Sequence, residues 1–255
     1  MIISKTLKEE IMDYVLSQES LEGGFSFSKT TPPTLEDTYF ALRIFDELGI
    51  AYNSQKTIKY IKNVPLLQHD HIKHTYYLAY ARYILHINES SFDEHLNKFV
   101  KDIHPKKIED IYYLLKISEL THIQFIYNEK YALYLNHERY ISQIREKMFI
   151  LSMLGKPIDK KSYVRIIRGF QNGDGGFGFH QGTTSFLENT YDALYALTIL
   201  HSNPQDIDAC EKFVHACKSK SGFGRQIYAV PTLEYTYYAL SSLKMIQEMR
   251  KCSTQ

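Results

Sequence analysis

The amino-acid sequence predicts an all-α fold assembled from pairs of helices. The first observation is an internal repeat, in which a Gly-Phe pair is followed by Leu-Glu-x-Thr-Tyr-x-Ala-Leu, and the glutamate lies 12 residues after the glycine in each copy. The three copies place these residues at Gly24 and Glu36, Gly176 and Glu188, and Gly222 and Glu234. The second observation is that apolar residues recur at helical spacing, with almost no alternation of period two. A repeat of this kind usually decides the whole fold.

Twelve predicted helices form six pairs. They cover residues 5–16 with 34–48, 56–62 with 73–85, 92–102 with 106–120, 123–135 with 138–154, 159–170 with 187–200, and 207–218 with 233–247. Thr34 is a suitable N-cap for the second helix and Gly49 ends it. Pro105 separates the two helices of the third pair, because the residue before proline avoids the helical conformation. Such pairs predict either an open solenoid or a closed ring of helical hairpins, with the second helix of each pair on the inside.

The bulk composition restricts the classes of protein and partner. With 255 residues, of which 44% are hydrophobic, residues 1–255 are expected to form a single domain. A formal net charge of +1 argues against nucleic acid as a partner. No stretch approaches the roughly 20 apolar residues that span a bilayer, and the N-terminus is typical of an amphipathic helix. Three cysteines predict no disulfide framework and a cytoplasmic location.

Tyrosine is abundant, with 21 residues, and tryptophan is absent. Clustered tyrosines can line a cavity whose walls are apolar and whose hydroxyls orient a ligand. The alternative is that these tyrosines reflect the general composition of the chain.

The Gly-Phe turn followed by the Thr-Tyr-x-Ala-Leu helix resembles the prenyltransferase and squalene oxidase repeat. This repeat is found in protein prenyltransferase β subunits and in squalene and terpene cyclases. Three copies match, and residues 50–167 keep the helical rhythm without the motif. The resemblance implies an α/α toroid of six helical hairpins, an α6/α6 barrel, with a central apolar cavity for an isoprenoid chain. It leaves open whether a partner subunit is present.

In the protein prenyltransferases that the chain resembles, an Asp-x-Cys-Tyr motif and a histidine hold zinc. The corresponding stretch is Glu234, Tyr235, Thr236 and Tyr237, so the carboxylate and the tyrosine have analogues and the thiolate has none. We therefore expect no resident metal or other cofactor, with magnesium entering only as the companion of a diphosphate substrate. Tyr237 becomes a candidate substrate-binding residue.

The related cyclases use Asp-x-Asp-Asp-Thr to protonate an alkene or epoxide. On this chain the motif falls on Thr34 to Thr38, which makes Glu36 and Asp37 the candidate catalytic residues, although the first aspartate of the motif is missing. Two adjacent carboxylates can raise one pKa and so favour a proton donor. The structural alternative is that Glu36, Glu188 and Glu234 stabilise the first turns of their helices, assisted by capping hydroxyls.

His180 and Arg225 follow the second and third glycine turns and are candidates to bind a diphosphate through charge-assisted hydrogen bonds. The glycines themselves are interpreted as turn residues that need positive φ rather than as a phosphate cradle. His69, His71 and His74, with Asp70, form the densest group of potential metal ligands, but their spacing matches no zinc signature, and whether they bind metal is left open.

Together these residues predict an isoprenoid-processing enzyme that resembles terpene cyclases and prenyltransferases and binds a polyprenyl diphosphate. Two alternatives remain open. The first is a toroid without catalytic activity that acts in binding or assembly. The second is a protein prenyltransferase β-type subunit with an altered metal site.

Overall fold

Helices make up the regular structure of the protein. The computed structural model describes residues 4–28, 30–66, 71–136 and 138–253. In these residues the α-helices are α1 (Lys5–Ser17), α2 (Leu35–Glu47), α3 (Gln55–Asn63), α4 (Ile72–Ile84), α5 (Ser90–Asp102), α6 (Ile108–Leu120), α7 (Ile141–Met153), α8 (Lys160–Arg168), α9 (Leu187–Ile199), α10 (Ile207–Ala216) and α11 (Leu233–Ser253). A 3₁₀ helix covers Glu129–Leu135. The described part of the chain has isolated β-bridges and no β-strand, which confirms the all-α prediction.

The chain divides into two compact units, and helix α1 contributes residues to both. The N-terminal unit, Val15–His137, contains a row in which α2 packs against α4 and α4 against α6. The C-terminal unit, Met1–Tyr14 with Glu138–Gln255, contains a row in which α7 packs against α9 and α9 against α11. Within each unit, the helices in these rows are the second members of the predicted pairs.

A threonine hydroxyl fastens each Gly-Phe turn to the helix that follows it. The backbone N–H of the phenylalanine donates to this hydroxyl, from Phe25 to Thr38 at 2.9 Å, from Phe177 to Thr190 at 3.1 Å, and from Phe223 to Thr236 at 3.1 Å. Each hydroxyl also donates to the carbonyl four residues earlier in the chain. We call this arrangement the threonine clamp. It explains the threonine of the repeat by a buried backbone group that needs an acceptor.

The glycines of the repeat serve close packing as well as turn geometry. Gly175 has φ of +89°, and a Cβ atom at this position would lie 2.1 Å from the carbonyl oxygen of Ala209 in α10. Gly222 has no positive φ, but a Cβ atom would lie 2.8 Å from the ring of Tyr14 and 2.9 Å from Thr236 Oγ1. The expectation of positive φ is therefore confirmed at Gly175 and wrong at Gly222, where the neighbouring ring and hydroxyl exclude a side chain.

Two helix predictions differ from the structure by more than three residues at one end. Residues 123–128 are not helical, because Ser118 Oγ accepts from Phe125 N–H at 2.9 Å and Thr121 Oγ1 accepts from Ile123 N–H at 3.3 Å. Such side-chain hydrogen bonds offer the backbone an alternative to the helix. Helix α11 runs beyond residue 247 to Ser253, and Arg250 in this added turn pairs with Asp208 and Glu211 of α10.

Tyrosines of α2, α4 and α6 form one aromatic cluster in the N-terminal unit. The ring of Tyr39 stacks on that of Tyr77 with centroids 3.9 Å apart, and Tyr76 contacts Tyr113 at 5.5 Å. All four rings are buried. These tyrosines pack against one another, and two of them, Tyr77 and Tyr113, also reach the pocket that is described next.

Candidate functional site

A polar pocket of about 370 Å³ lies at the N-terminal ends of α2, α4 and α6 in the N-terminal unit. It is lined by Glu36, His71, Ile72, Lys73, His74, Tyr77, Lys107, Glu109, Asp110 and Tyr113. Helix N-termini carry a partial positive charge of about half an elementary charge each. Three such ends, two lysines, two histidines and three carboxylates are thus collected around one opening, with two tyrosines available for contact with an apolar group.

Ion pairs balance the lysines of the polar pocket. Lys73 Nζ lies 3.6 Å from Glu36 Oε1 and 5.4 Å from the ring centroid of Tyr77. Lys107 Nζ contacts Glu109 Oε2, and both of these side chains are partly exposed. Asp110 caps α6 by accepting from the backbone N–H of Lys107 at 3.2 Å. Exposed ion pairs contribute only about 0 to 1 kcal/mol, so an anionic ligand can exchange for Glu36 or Glu109 at low cost.

Of the two described histidines of this pocket, His71 is exposed and His74 is partly buried. Burial, and then the neighbouring His71, lower the pKa of His74, which favours its neutral form. Nδ1 of His74 is buried and accepts or donates no hydrogen bond within the described part of the chain. His69 and Asp70, the other members of the predicted metal-ligand group, lie outside the described residues. Among the residues that the structure does describe, no group of three or more His, Cys, Asp or Glu side chains could hold a metal ion.

Glu36 and Asp37, the candidate catalytic residues, lie in the first turn of α2. The Glu36 side chain is 56% exposed and pairs with Lys73. Asp37 is half-buried, and its Oδ2 accepts from the Thr34 hydroxyl at 2.8 Å while its backbone N–H donates to Thr34 Oγ1 at 3.0 Å. Burial is the main cause that raises the pKa of Asp37, and the charge of Glu36 raises it further, although less than the Thr34 bond lowers it. Both carboxylates therefore have structural partners in this state.

The residues that follow the glycine turns of the C-terminal unit form backbone hydrogen bonds with the first residues of two helices. The carbonyl of Phe179 accepts from the N–H of Ile141, the first residue of α7, at 2.9 Å. The carbonyl of Arg225 accepts from the N–H of Leu187, the first residue of α9, at 2.9 Å. His180, which follows Phe179, and Arg225 thus lie beside the N-termini of two helices, whose first N–H groups donate to these protein carbonyls.

The side chains of the three remaining candidates have different surroundings. Arg225 pairs with Glu188, Nη2 to Oε1 at 2.6 Å, and its guanidinium lies 3.8 Å from the ring centroid of Phe186. The Glu188 partner raises the pKa of Arg225, so the guanidinium keeps its charge. His180 is exposed, and Tyr237 is buried with its hydroxyl 3.4 Å from that of Tyr191. No hydrogen bond or ion pair between described residues joins His180 to Arg225.

A buried charged cluster in the C-terminal unit was missed by the reasoning from sequence. Arg145 Nη1 of α7 lies 3.1 Å from Asp192 Oδ1 of α9, and Arg145 Nη2 lies 3.5 Å from Glu146 Oε1. Burial raises the pKa of Asp192 to about 6, although Arg145 opposes this shift. The signal lay in the repeat itself, because the position of Asp192 is occupied by aromatic residues, Phe40 and Tyr238, in the other two copies.

The cysteines do not replace the missing thiolate of the prenyltransferase motif. Burial raises the pKa of Cys210 and of Cys217 to about 12, so both are neutral thiols near pH 7. Cys252 is exposed and free. Thr236, which occupies the cysteine position of the motif, is fully buried and committed to its clamp.

Paired helices joined by clamped Gly-Phe turns define a helical-hairpin repeat protein. The chain belongs to the prenyltransferase alpha-alpha toroid domain family, whose model matches residues 2–76 and 98–255. The resemblance and the α/α toroid class are thereby confirmed, and the chain stands among prenyltransferase-like and cyclase-like proteins. Comparison with curated proteins returned no match. In the described chain, no helix is both long enough and apolar enough to cross a membrane.

Proposed function

We propose that this protein is an isoprenoid-processing enzyme that binds a polyprenyl diphosphate, with the diphosphate in the polar pocket of the N-terminal unit. The observation that carries the proposal is the convergence of three helix N-termini with Lys73 and Lys107 beside two tyrosines. Backbone N–H groups at helix starts and ammonium groups are the donors that phosphate oxygens require. Magnesium, if used, would arrive with the substrate.

The tyrosines supply the apolar part of the proposed site. The prenyl chain would leave the polar pocket along Tyr77 and Tyr113, behind which Tyr39 and Tyr76 belong to the same buried aromatic cluster. Aromatic faces also stabilise cationic character in a reacting isoprenoid, by about 0.5 to 2 kcal/mol per contact. In a cyclase reaction Glu36 or Asp37 would be the proton donor. His180, Arg225 and Tyr237 form the second set of candidate substrate contacts, in the C-terminal unit.

The binding test uses farnesyl, geranylgeranyl and longer prenyl diphosphates, titrated calorimetrically with and without magnesium. We expect Lys73→Ala combined with Lys107→Ala to weaken binding at least tenfold, because both ammonium contacts are lost. Lys98→Ala combined with Lys101→Ala, at exposed positions of α5, is the matched control and should change affinity less than twofold. Equal affinities of the two double variants would show that the polar pocket does not bind the diphosphate.

The catalytic test follows the products of the same substrates by mass spectrometry. We expect new products from the unaltered protein and a loss of at least a hundredfold in rate in Glu36→Gln or Asp37→Asn, because either change removes a candidate proton donor. Binding without any product would support the second candidate function, a toroid that acts in binding or assembly. That alternative is favoured by the structural partners of Glu36 and Asp37, namely Lys73 and Thr34. A cytoplasmic location and a partner subunit stay predictions.

A further inference from the structure

A second concave site, in the C-terminal unit, carries a charge pattern that the proposed function does not use. This basic groove has a volume of about 950 Å³ and runs between α8 and the loop after α9. It is lined by Lys160, Lys161, Ser162, Val164, Arg165, Arg168, Gly169, Leu200, His201, Ser202 and Gln205. Four of these side chains are permanent cations, and none is a carboxylate.

The cations of the basic groove are only partly balanced by acidic groups of the protein. Among the described residues, no carboxylate forms an ion pair with Lys160, Lys161 or Arg165. The Asp159 side chain caps α8 by accepting from Ser162 N–H at 3.2 Å, and its charge also acts on Arg165 and Lys161. The C-termini of α8 and α9 add partial negative charge of only about half an elementary charge each. The groove therefore keeps a positive potential that an anionic ligand would neutralise.

One arginine of the basic groove is held in a fixed position. Arg168 Nε donates to the carbonyl of Asn203 at 2.9 Å, and Arg168 Nη2 lies 3.4 Å from Ser202 Oγ. These bonds orient the guanidinium and leave other N–H groups for a ligand, because arginine has five donors. Lys160, Lys161 and Arg165 are exposed. A preoriented arginine lowers the entropic cost of binding at that end of the groove.

The distance over which the four cations of the basic groove extend along α8 distinguishes between kinds of anion. Lys160 and Arg168 are eight residues apart on α8, which corresponds to about 12 Å along the helix axis. A single phosphate group spans only a small part of that length, and a flat membrane surface does not enter a concave groove. In an extended peptide, side chains on one face recur about every 7 Å, so three alternate carboxylates cover about 14 Å. The spacing matches an extended acidic peptide.

We propose that the basic groove binds an extended acidic segment of a partner protein, with alternate Asp or Glu side chains pairing with Lys160, Lys161, Arg165 and Arg168. The serine and glutamine side chains of the groove provide hydrogen bonds to the peptide backbone. This proposal is independent of isoprenoid binding, because the basic groove and the polar pocket share no residue.

The experiment measures the fluorescence anisotropy of a fluorescein-labelled hexaglutamate peptide with the 255-residue protein at 50 mM and 300 mM NaCl. We expect binding that weakens with salt, and no binding of a hexaglutamine peptide. Lys161→Glu combined with Arg165→Glu should weaken hexaglutamate binding at least tenfold. Lys98→Glu combined with Lys101→Glu makes the same charge change on α5 and should alter it less than twofold, with circular dichroism verifying the fold of both variants.

Three results would overturn the proposal. The first is the absence of hexaglutamate binding, and the second is an equal loss of affinity in both double variants, which would indicate diffuse attraction. The third is tighter binding, at equal charge concentration, of inorganic pyrophosphate or of vesicles containing phosphatidylserine. That outcome would assign the groove to a phosphate compound or to a membrane surface instead.

Discussion

At the scale of single residues, the threonine clamp is the interaction whose removal has the most direct effect. We expect Thr190→Val to lower the free energy of unfolding by about 1 to 3 kcal/mol, because the buried N–H of Phe177 loses its acceptor while the volume of the side chain is kept. Thr198→Val in the same helix is the control, since this exposed hydroxyl only donates to the Leu194 carbonyl. Urea unfolding of both variants measures the difference. Similar losses would show that helix propensity, and not the clamp, causes the effect.

The buried carboxylate of Asp192 makes the stability depend on pH. Its pKa is raised to about 6 in the folded protein, against about 3.9 in an unfolded chain. The folded state therefore binds the proton more tightly, and the contribution of Asp192 to stability is complete below pH 4 and is lost as pH rises to about 6. Its size is on the order of 3 kcal/mol.

Asp192→Asn tests this dependence because asparagine does not titrate. We expect the free energy of unfolding of the unaltered protein, minus that of the variant, to fall between pH 4 and pH 6.5 and to stay level above that range. Groups that titrate equally in both proteins cancel in the difference. A difference that does not change with pH would mean that Arg145 holds Asp192 ionised throughout.

Candidate residues differ in how far the sequence could identify them. Glu36 and Asp37 were found from the repeat motif, and the structure adds that both have structural partners. Asp192 was not identified because it occupies a position that the motif leaves variable. Its importance also depends on Arg145, which lies in a stretch without the motif. Burial and ion pairing across helices are properties of the fold, so a single copy of the repeat cannot reveal them.

At the scale of elements, the glycine turns position one helix against another. We expect Gly175→Ala to lower the free energy of unfolding by several kcal/mol, because the new Cβ atom would meet the Ala209 carbonyl and α10 would have to move. Gly182→Ala is a matched control, since Gly182 also has positive φ, +80°, but no atom lies within 4 Å of its Cβ position. The control should lose only about 1 to 2 kcal/mol from backbone strain. Equal losses, measured by thermal or urea unfolding, would show that strain alone determines the role of Gly175.

Helix positions were well predicted where apolar periodicity and end signals agree. Helix α2 begins after Thr34, as predicted, and its N-cap hydroxyl is satisfied by Asp37 N–H. The segment 123–128 was predicted wrongly because Ser118 and Thr121 divert its backbone hydrogen bonds. Those bonds involve residues at the end of the preceding helix, so the periodicity of the segment itself gives no warning of them.

At the scale of the whole molecule, the family match covers residues of both compact units. We therefore propose that residues 1–255 unfold as a single domain. The chain contains no tryptophan, so a single introduced tryptophan reports on one unit without background. Phe179→Trp places the probe in the C-terminal unit, and Tyr83→Trp places it in the N-terminal unit, at side chains that are 39% and 59% exposed.

We expect the two tryptophan signals and the far-ultraviolet circular dichroism to give the same urea midpoint, as a two-state transition requires. Both substitutions exchange one exposed aromatic side chain for another, so each should change the stability only slightly. Circular dichroism of the unaltered protein is the control for that change. Separate midpoints for the two probes would show two domains that unfold independently.

The threonine clamp also restricts how this chain could acquire a metal centre during evolution. A thiol is a weak hydrogen-bond acceptor. Replacing Thr236 by cysteine would supply a soft ligand and, in the same step, leave the Phe223 N–H poorly satisfied. Such a substitution would be tolerated only in a chain whose free energy of unfolding exceeds what folding requires. The two further clamps, at Thr38 and Thr190, hold their own turns through separate hydrogen bonds, so the loss would be confined to one turn of the repeat.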